Sequence, residues 1–410
     1  MAGVRDAEVT IVGGGAVGCA VAYVLARAGY RDIQVVERGE LASATTGQAA
    51  GLVGQVRASA DRCRLAMASV AAYARIEQDT GVTADWRQTG SLRIAMTDER
   101  VAEFRALAAV AGSAGLEVSF VSPATLAGLC PVLATGPARA ALWCPTDGYL
   151  QPNSLVMAYA AGARLRGVSF ATRTTVTGIR LAGGAVTGLR TDRGDVATSM
   201  VINAAGPWAA ALAALAGVDL PIVPVRHEYF VTGPVPGWHA SLPVLRIPDI
   251  RIYARAEGPG ILCGGWEAAS LSLDPRQVAV GQPLAVTPDW PVLAGFAEDF
   301  AAFVPAVTDA AVRTVFRGFP AFSPDGRFVI GPVPGIRGFV MAAACNAHGV
   351  SGSAGLAEHV LESLQPDPSP YVRSLSPARF SPGTWDWASG RAQAERVYQD
   401  YYSLPAPAAG

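Results

Sequence analysis

The sequence predicts an α/β protein. A nucleotide-binding domain assembled from separated segments carries an α+β second domain with a mixed or antiparallel sheet. Three observations predict it. A Gly-x-Gly-x-x-Gly turn joins a β-branched run to an apolar helix near the N-terminus. The next strand run ends in an acid, Glu37. The strand–helix pattern then breaks off and resumes twice, after stretches of different character.

Taken in order, "EVTIV" is the short β-branched run that suits a buried parallel strand. Gly13, Gly15 and Gly18 follow and open an apolar helix that ends near Gly29. Gly13 permits the tight turn, Gly15 lets a pyrophosphate approach the backbone, and Gly18 lets helix and strand pack closely. The helix N-terminus, at Ala16 and Val17, faces the negative charge. "DIQVVE" is the second strand, and Glu37 at its end suits an unphosphorylated ribose, which disfavours NADP. Next comes "SATTGQAAGLV", residues 43–53, uncharged and too small in its side chains to build a core. Gln48 is the one long polar group there.

A helical segment over 62–78 and a β-rich region with "GSLRIAMT" follow. The nucleotide-domain pattern returns with "LQPNSLVMAYAAGARLRGVSF": a helix, a strand, two hairpin strands around "GG", and a strand running into a Gly-Pro turn. It returns again over 316–362. The uncharged stretch around 196–218 is long enough to span a bilayer. However, "NAAGPW" breaks it, so it reads as a buried strand, a turn and a helix.

Composition excludes several classes. Of 410 residues 51% are hydrophobic and 16% charged, enough for a large core. A net charge of -1 leaves no footprint for nucleic acid and no polybasic membrane patch. All 32 basic residues are arginine, which fits a GC-rich bacterial genome and closes any chemistry that needs a lysine amine. The six cysteines are scattered, with no metal-ligand spacing, which suits a reducing cytoplasm without structural zinc or disulfides. A strand entered by about Glu8 leaves no room for a signal peptide, so the expected location is cytoplasmic.

The ordered set "TIVGGGAVG", "ERGELASATTGQAAGLV", "LWCPTDGYLQPNSL", "VINAAGPWA", "PVRHEYFVT", "FSPDGRFVIGPVPG" and "AAACNAHGVSGSAGLAEHVL" resembles the D-amino-acid-oxidase-like flavoprotein family. Its dimethylglycine and sarcosine dehydrogenase/oxidase branch is the nearest in pattern, and the match runs from about Glu8 to about Leu364. The resemblance implies a Rossmann-like FAD-binding domain over 1–85, 146–220 and 316–365, and a substrate-binding domain over 86–145 and 221–315. The tail, 366–410, lies outside it and suits either a packed helix or a subunit contact. The implied reaction is FAD-dependent oxidation of the C–N bond of a small secondary or tertiary amine or amino acid. Oxygen or an electron-transfer partner would be the acceptor, and a homo-oligomer is possible. A flavin monooxygenase and a noncatalytic flavoprotein subunit are the alternatives. Loss of both His227 and Tyr253 would mark the second, and both are present.

For the cofactor, the resemblance adds Arg38 to Glu37. It sets Ser43, Thr45 and Thr46 at the pyrophosphate, and Gln48, Ala49, Ala50, Gly51 and Leu52 along the isoalloxazine ring. Val176, Ala205, Gly206 and Trp208 are expected against FAD, as are Asn346, His348, Gly349 and Val350. His227 would bind the amine or take its proton, with Tyr253 in the pocket. His348 would act before the last helix, either at the flavin or as that helix's cap. Arg255, two residues from Tyr253 and so on one strand face, would clamp a substrate carboxylate or pair with Glu257 or Glu267. Arg57 and Trp266 are further substrate candidates, while His239 and His359 are expected at the surface. Two departures matter. Gln48 stands where dimethylglycine dehydrogenases have a flavin-bonded His, and Gly318 where sarcosine oxidases have a flavin-bonded Cys. FAD is therefore expected to be noncovalent.

Overall fold

The computed structural model describes residues 3–278 and 281–404. Two sheets organise them. The first has six strands in the order Val329–Pro332, Phe339–Ala343, Met200–Asn203, Val9–Val12, Ile33–Val36 and Ser169–Ala171. All its pairings are parallel except that of the edge strand Val329–Pro332. Its strands come from three separated stretches of chain, which is the discontinuity read from the sequence.

One face is covered by the helices Ala16–Arg27, Pro152–Arg164, Ser353–Ser363 and Ala60–Thr80, which pack on one another over an apolar core. The other face carries an antiparallel three-stranded sheet and the short helix Ala209–Ala214. Parallel strands buried on both faces need continuous apolar runs, and Val9–Val12 and Ile33–Val36 are buried at every position.

The second sheet has eight strands in the order Val312–Gly318, His227–Pro234, Gly260–Gly265, Ile252–Glu257, Val244–Ile247, Ser91–Ala95, Ala140–Cys144 and Ser119–Val121. It is antiparallel apart from the pairing of Val244–Ile247 with Ser91–Ala95. The stretch read as β-rich after residue 86 also holds two helices, Asp98–Ser113 and Pro123–Leu129. Thr97 and Ser122 cap them through their side-chain oxygens, a local start signal that the strand-like flanks obscure.

The stretch around 196–218 is the strand Met200–Asn203, a turn and a short helix, as expected. Among the described residues no helix is long and apolar enough to cross a membrane. The tail forms a packed helix, Trp387–Gln399, with Ala394, Tyr398 and Tyr402 buried against the junction of the two sheets. The helix after His348 is therefore not the last.

Candidate active site

A large cavity lies between the sheets, and its two ends are built differently. At one end the wall is backbone. Gly13 has φ +117°, and a Cβ there would lie 2.4 Å from the Ala204 carbonyl oxygen. A Cβ on Gly18 would lie 1.9 Å from the Gly13 carbonyl oxygen, so helix and turn touch only because both residues are glycine. Gly18 accordingly packs behind the turn and does not line the cavity, whereas Gly13, Gly15, Ala16 and Val17 do. The helix N-terminus has no side-chain cap at Gly15 and no acid in its first turn, so it is open to an anion.

Glu37 accepts from the Gly14 amide at 2.6 Å and from the Gly39 amide at 2.7 Å, one on each oxygen. A carboxylate has about four acceptor sites, so capacity for two ribose hydroxyls remains. Arg38 stacks over Trp208 with its guanidinium carbon 3.5 Å from the ring centroid, and both bond the Gln282 carbonyl. Val176, Ala205 and Gly206 complete this end.

The loop 43–53 forms one long wall. Ser43, Thr45, Thr46 and the whole of Gln48–Leu52 line the cavity, and Thr46 Oγ1 accepts from the Ala16 amide at 3.1 Å. Gln48 Oε1 accepts from the Arg317 amide at 3.3 Å. A Cβ on Gly318 would sit 3.2 Å from Gln48 Cβ, so the two positions at which the sequence departs from the family pattern meet here.

The other end is aromatic and cationic. His227 bonds Tyr253 Oη through Nε2 at 2.8 Å and Tyr398 Oη through Nδ1 at 3.1 Å. Its ring lies 4.8 Å from Trp266. Burial with no charged partner lowers its pKa to about 4, so it is neutral at physiological pH. His348 is neutral too: burial, then Arg57 and Arg62, push its pKa well below the usual value. It bonds Tyr401 Oη through Nε2 at 3.1 Å, and its buried Nδ1 has no partner. Gly349 and Val350 continue this wall. Arg57, Arg246, Trp266 and Tyr401 close it.

Two expectations need correcting, and one open choice is decided. Arg255 does not line the cavity and pairs with Glu257, the second of its two readings. It is on the Tyr253 face, but its Nε donates to the Ala50 carbonyl at 2.6 Å and its NH1 pairs with Glu257 at 2.6 Å. It therefore braces the loop 43–53 from behind. Asn346 also lies off the cavity, with φ 46°. Its side chain accepts from the Ser323 amide at 3.0 Å and donates to the Ala344 carbonyl at 2.6 Å, which holds the left-handed turn before His348. His359 is half-buried against Tyr371, while His239 is exposed.

Sequence reasoning missed Arg246, Tyr398, Tyr401 and Tyr402. A charged residue inside the apolar strand Val244–Ile247 was one available signal. The spacing of Tyr398, Tyr401 and Tyr402, one helical face in "VYQDYY", was another.

A family model described as "FAD dependent oxidoreductase" matches residues 8–363. The chain is 32% identical over 389 residues to mitochondrial dimethylglycine dehydrogenase of Rattus norvegicus, covering 92% of this chain and 45% of that protein. It is 30% identical over 360 residues to mitochondrial sarcosine dehydrogenase of Homo sapiens, covering 86% and 39% respectively. The chain thus spans less than half the length of these relatives. L-proline dehydrogenase from P. horikoshii superposes with a TM-score of 0.83 at 24% identity, covering 92% of this chain and 98% of that one, and so shares the fold.

Proposed function

The chain belongs to the FAD dependent oxidoreductase family, and from that premise we propose that it oxidises the C–N bond of a small secondary or tertiary amine or amino acid. The imine product then hydrolyses to a smaller amine and an aldehyde or oxo acid. The observation that carries this reading is the Tyr253–His227–Tyr398 hydrogen-bond chain, of which His227 and Tyr253 line the cavity together with Arg57 and Arg246.

The residues present fit FAD. The glycine turn brings an uncapped helix N-terminus to the cavity, Glu37 keeps acceptor capacity, and the orphaned His348 Nδ1 and Arg246 Nε belong to residues that line it. Gly13, Gly15 and Thr46 would hold the pyrophosphate, Glu37 the ribose, and Gln48–Leu52 the ring. When bound, FAD supplies a two-electron acceptor for hydride from the carbon beside nitrogen.

The chain's own contribution is selection and orientation. Arg57 and Arg246 bind an acidic group of the substrate by charge-assisted hydrogen bonds. The dry wall of Trp266 and Tyr253 disfavours a charged ammonium and so favours the amine with its lone pair free. With the His227 proton on Nε2, Tyr398 donates to Nδ1 and Tyr253 accepts from Nε2–H. Tyr253 then has its own O–H free to orient substrate. Covalent attachment needs a nucleophile, and neither the Gln48 amide nor Gly318 offers one, so FAD is held noncovalently.

The test is anaerobic mixing of the holoprotein with a panel of small amines and amino acids, followed by flavin bleaching. At least one should bleach it, and His227→Ala, which frees Tyr253 from its orienting bond, should slow that step by about 10²-fold with FAD retained. Holoprotein that no amine reduces would overturn the reading.

A further inference from the structure

We propose that Tyr401, carried by the C-terminal segment, takes the proton from the substrate's ammonium before oxidation; this rests on the amine-oxidising reading above. Alkylammonium groups lose their proton only near pH ~10, so a neutral amine at physiological pH needs a base. His227 is poorly suited. Both its ring nitrogens are engaged by tyrosines, and with a pKa of about 4 it is far too weak to compete for that proton. His348 is held neutral by burial and by Arg57 and Arg62.

Tyr401 stands differently. It lines the cavity with His227, Tyr253 and Trp266, and its ring stacks on Trp266 at 3.7 Å between centroids and 7° between planes. Its hydroxyl meets His348 Nε2. Four guanidiniums act on it from three directions: Arg57 beyond the loop 43–53, Arg62 from the helix Ala60–Thr80, and Arg93 and Arg246 from the mixed sheet. Among the described residues none of the four forms an ion pair with a carboxylate. Asp147 acts on Arg246 but is engaged by the Ser91 hydroxyl and the Gln55 amide. On the opposite side, burial holds Tyr253 and Tyr398 protonated, and the Tyr402 hydroxyl accepts from Arg246 NH1 at 3.2 Å.

Four cations, one buried and three half-buried, with only Asp147 near them favour a further negative partner. The arginines favour ionisation of the Tyr401 hydroxyl, which supplies that partner as its phenolate. Burial alone would raise its pKa, yet the four arginines outweigh burial and lower it. When a zwitterionic substrate enters, its carboxylate takes the phenolate's place beside Arg57 and Arg246. The phenolate oxygen then forms an O–H bond as the substrate N–H bond breaks, and the electron pair stays on nitrogen. Net charge in the site does not change in this transfer.

The test follows flavin bleaching by the best panel substrate in wild type and Tyr401→Phe holoprotein, from about pH 6 to about pH 11. Wild type should gain rate through an ionisation below the substrate's own. Tyr401→Phe should lose that limb, react about 10²–10⁴-fold more slowly near pH 7, and converge on wild type above about pH 10, where the free amine needs no base. The ultraviolet phenolate band should also appear at lower pH in wild type than in the variant. An unchanged profile, or an equal loss at every pH as packing alone would give, overturns the proposal. If Tyr401→Phe loses FAD, Arg57→Gln replaces it: removing one cation should move the rising limb to higher pH, and an unmoved limb overturns the proposal. Wild type that no amine reduces would sink the functional reading, and this proposal with it.

Discussion

The two ends of the cavity solve the same problem, holding a polar ligand out of water, by opposite means. The nucleotide end uses backbone: glycines at 13, 15 and 18, a helix N-terminus, and a single acid whose oxygens are tied to main-chain amides. The amine end uses side chains, with Arg57, His227, Arg246, Tyr253, Trp266 and Tyr401 drawn from across the chain. Backbone recognition tolerates no bulk but needs few partners. Side-chain recognition tolerates bulk but depends on every neighbour being in register.

The sharpest break is expected at the backbone end. Gly18→Val places a branched side chain where even Cβ would lie 1.9 Å from a carbonyl oxygen, so no folded yellow protein should be recovered. Soluble variant with wild-type visible absorbance would show that the turn can move.

Next comes Arg255→Met, which probes the brace between the two ends. The variant loses the charge-assisted bond to the Ala50 carbonyl, worth about 1.5–3 kcal/mol, and the pairing with half-buried Glu257, so it should melt earlier and release FAD on dilution. Its remaining holoprotein should keep the wild-type KM for amine. A raised KM with FAD retained would return Arg255 to substrate binding.

A third test contrasts the ends by acid. His227 has a folded pKa of about 4 against an ordinary 6.5, so the unfolded chain binds the proton more tightly. Its stabilising contribution is complete above about pH 6.5 and is lost as pH falls toward 4, to a total of about 3 kcal/mol. Melting temperature should fall over that window, and less steeply in His227→Gln. Equal slopes would mean that the triad opens before the fold does.

The smallest effect should be at Gln48. Gln48→Ala removes one long hydrogen bond to the Arg317 amide and should cost about 1 kcal/mol or less. In wild type, acid precipitation should leave the yellow colour in the supernatant. Colour in the pellet would reveal a covalent link at another residue.

The backbone end was legible because its determinants are local. Gly13 to Gly18 lie within one turn, and Glu37 closes the next strand, so spacing alone carries the geometry. The loop 43–53 was legible from size and absence of charge. The amine end was only half legible. Strand alternation correctly placed Tyr253 and Arg255 on one face, but it says nothing of position along the strand. Arg255 lies beneath Ala50, while Arg246, opposite Tyr253 in the neighbouring strand, faces the cavity. That cross-strand register follows from pairing, which no local pattern encodes. Tyr401 was hidden for a related reason: the tail carries no family motif, and its aromatic face has meaning only once docked on Trp266.

The position of Tyr401 in the chain has a biosynthetic consequence. Of all residues that line the cavity it is translated last, and the glycine turn is among the first. At typical elongation speeds roughly 20–80 s separate Gly18 from Tyr401. The strand that leads into the turn, however, pairs with Met200–Asn203, which pairs with Phe339–Ala343, and the second of these is made only shortly before Tyr401. Assembly of the pyrophosphate end and closure of the amine pocket therefore follow one another closely in synthesis.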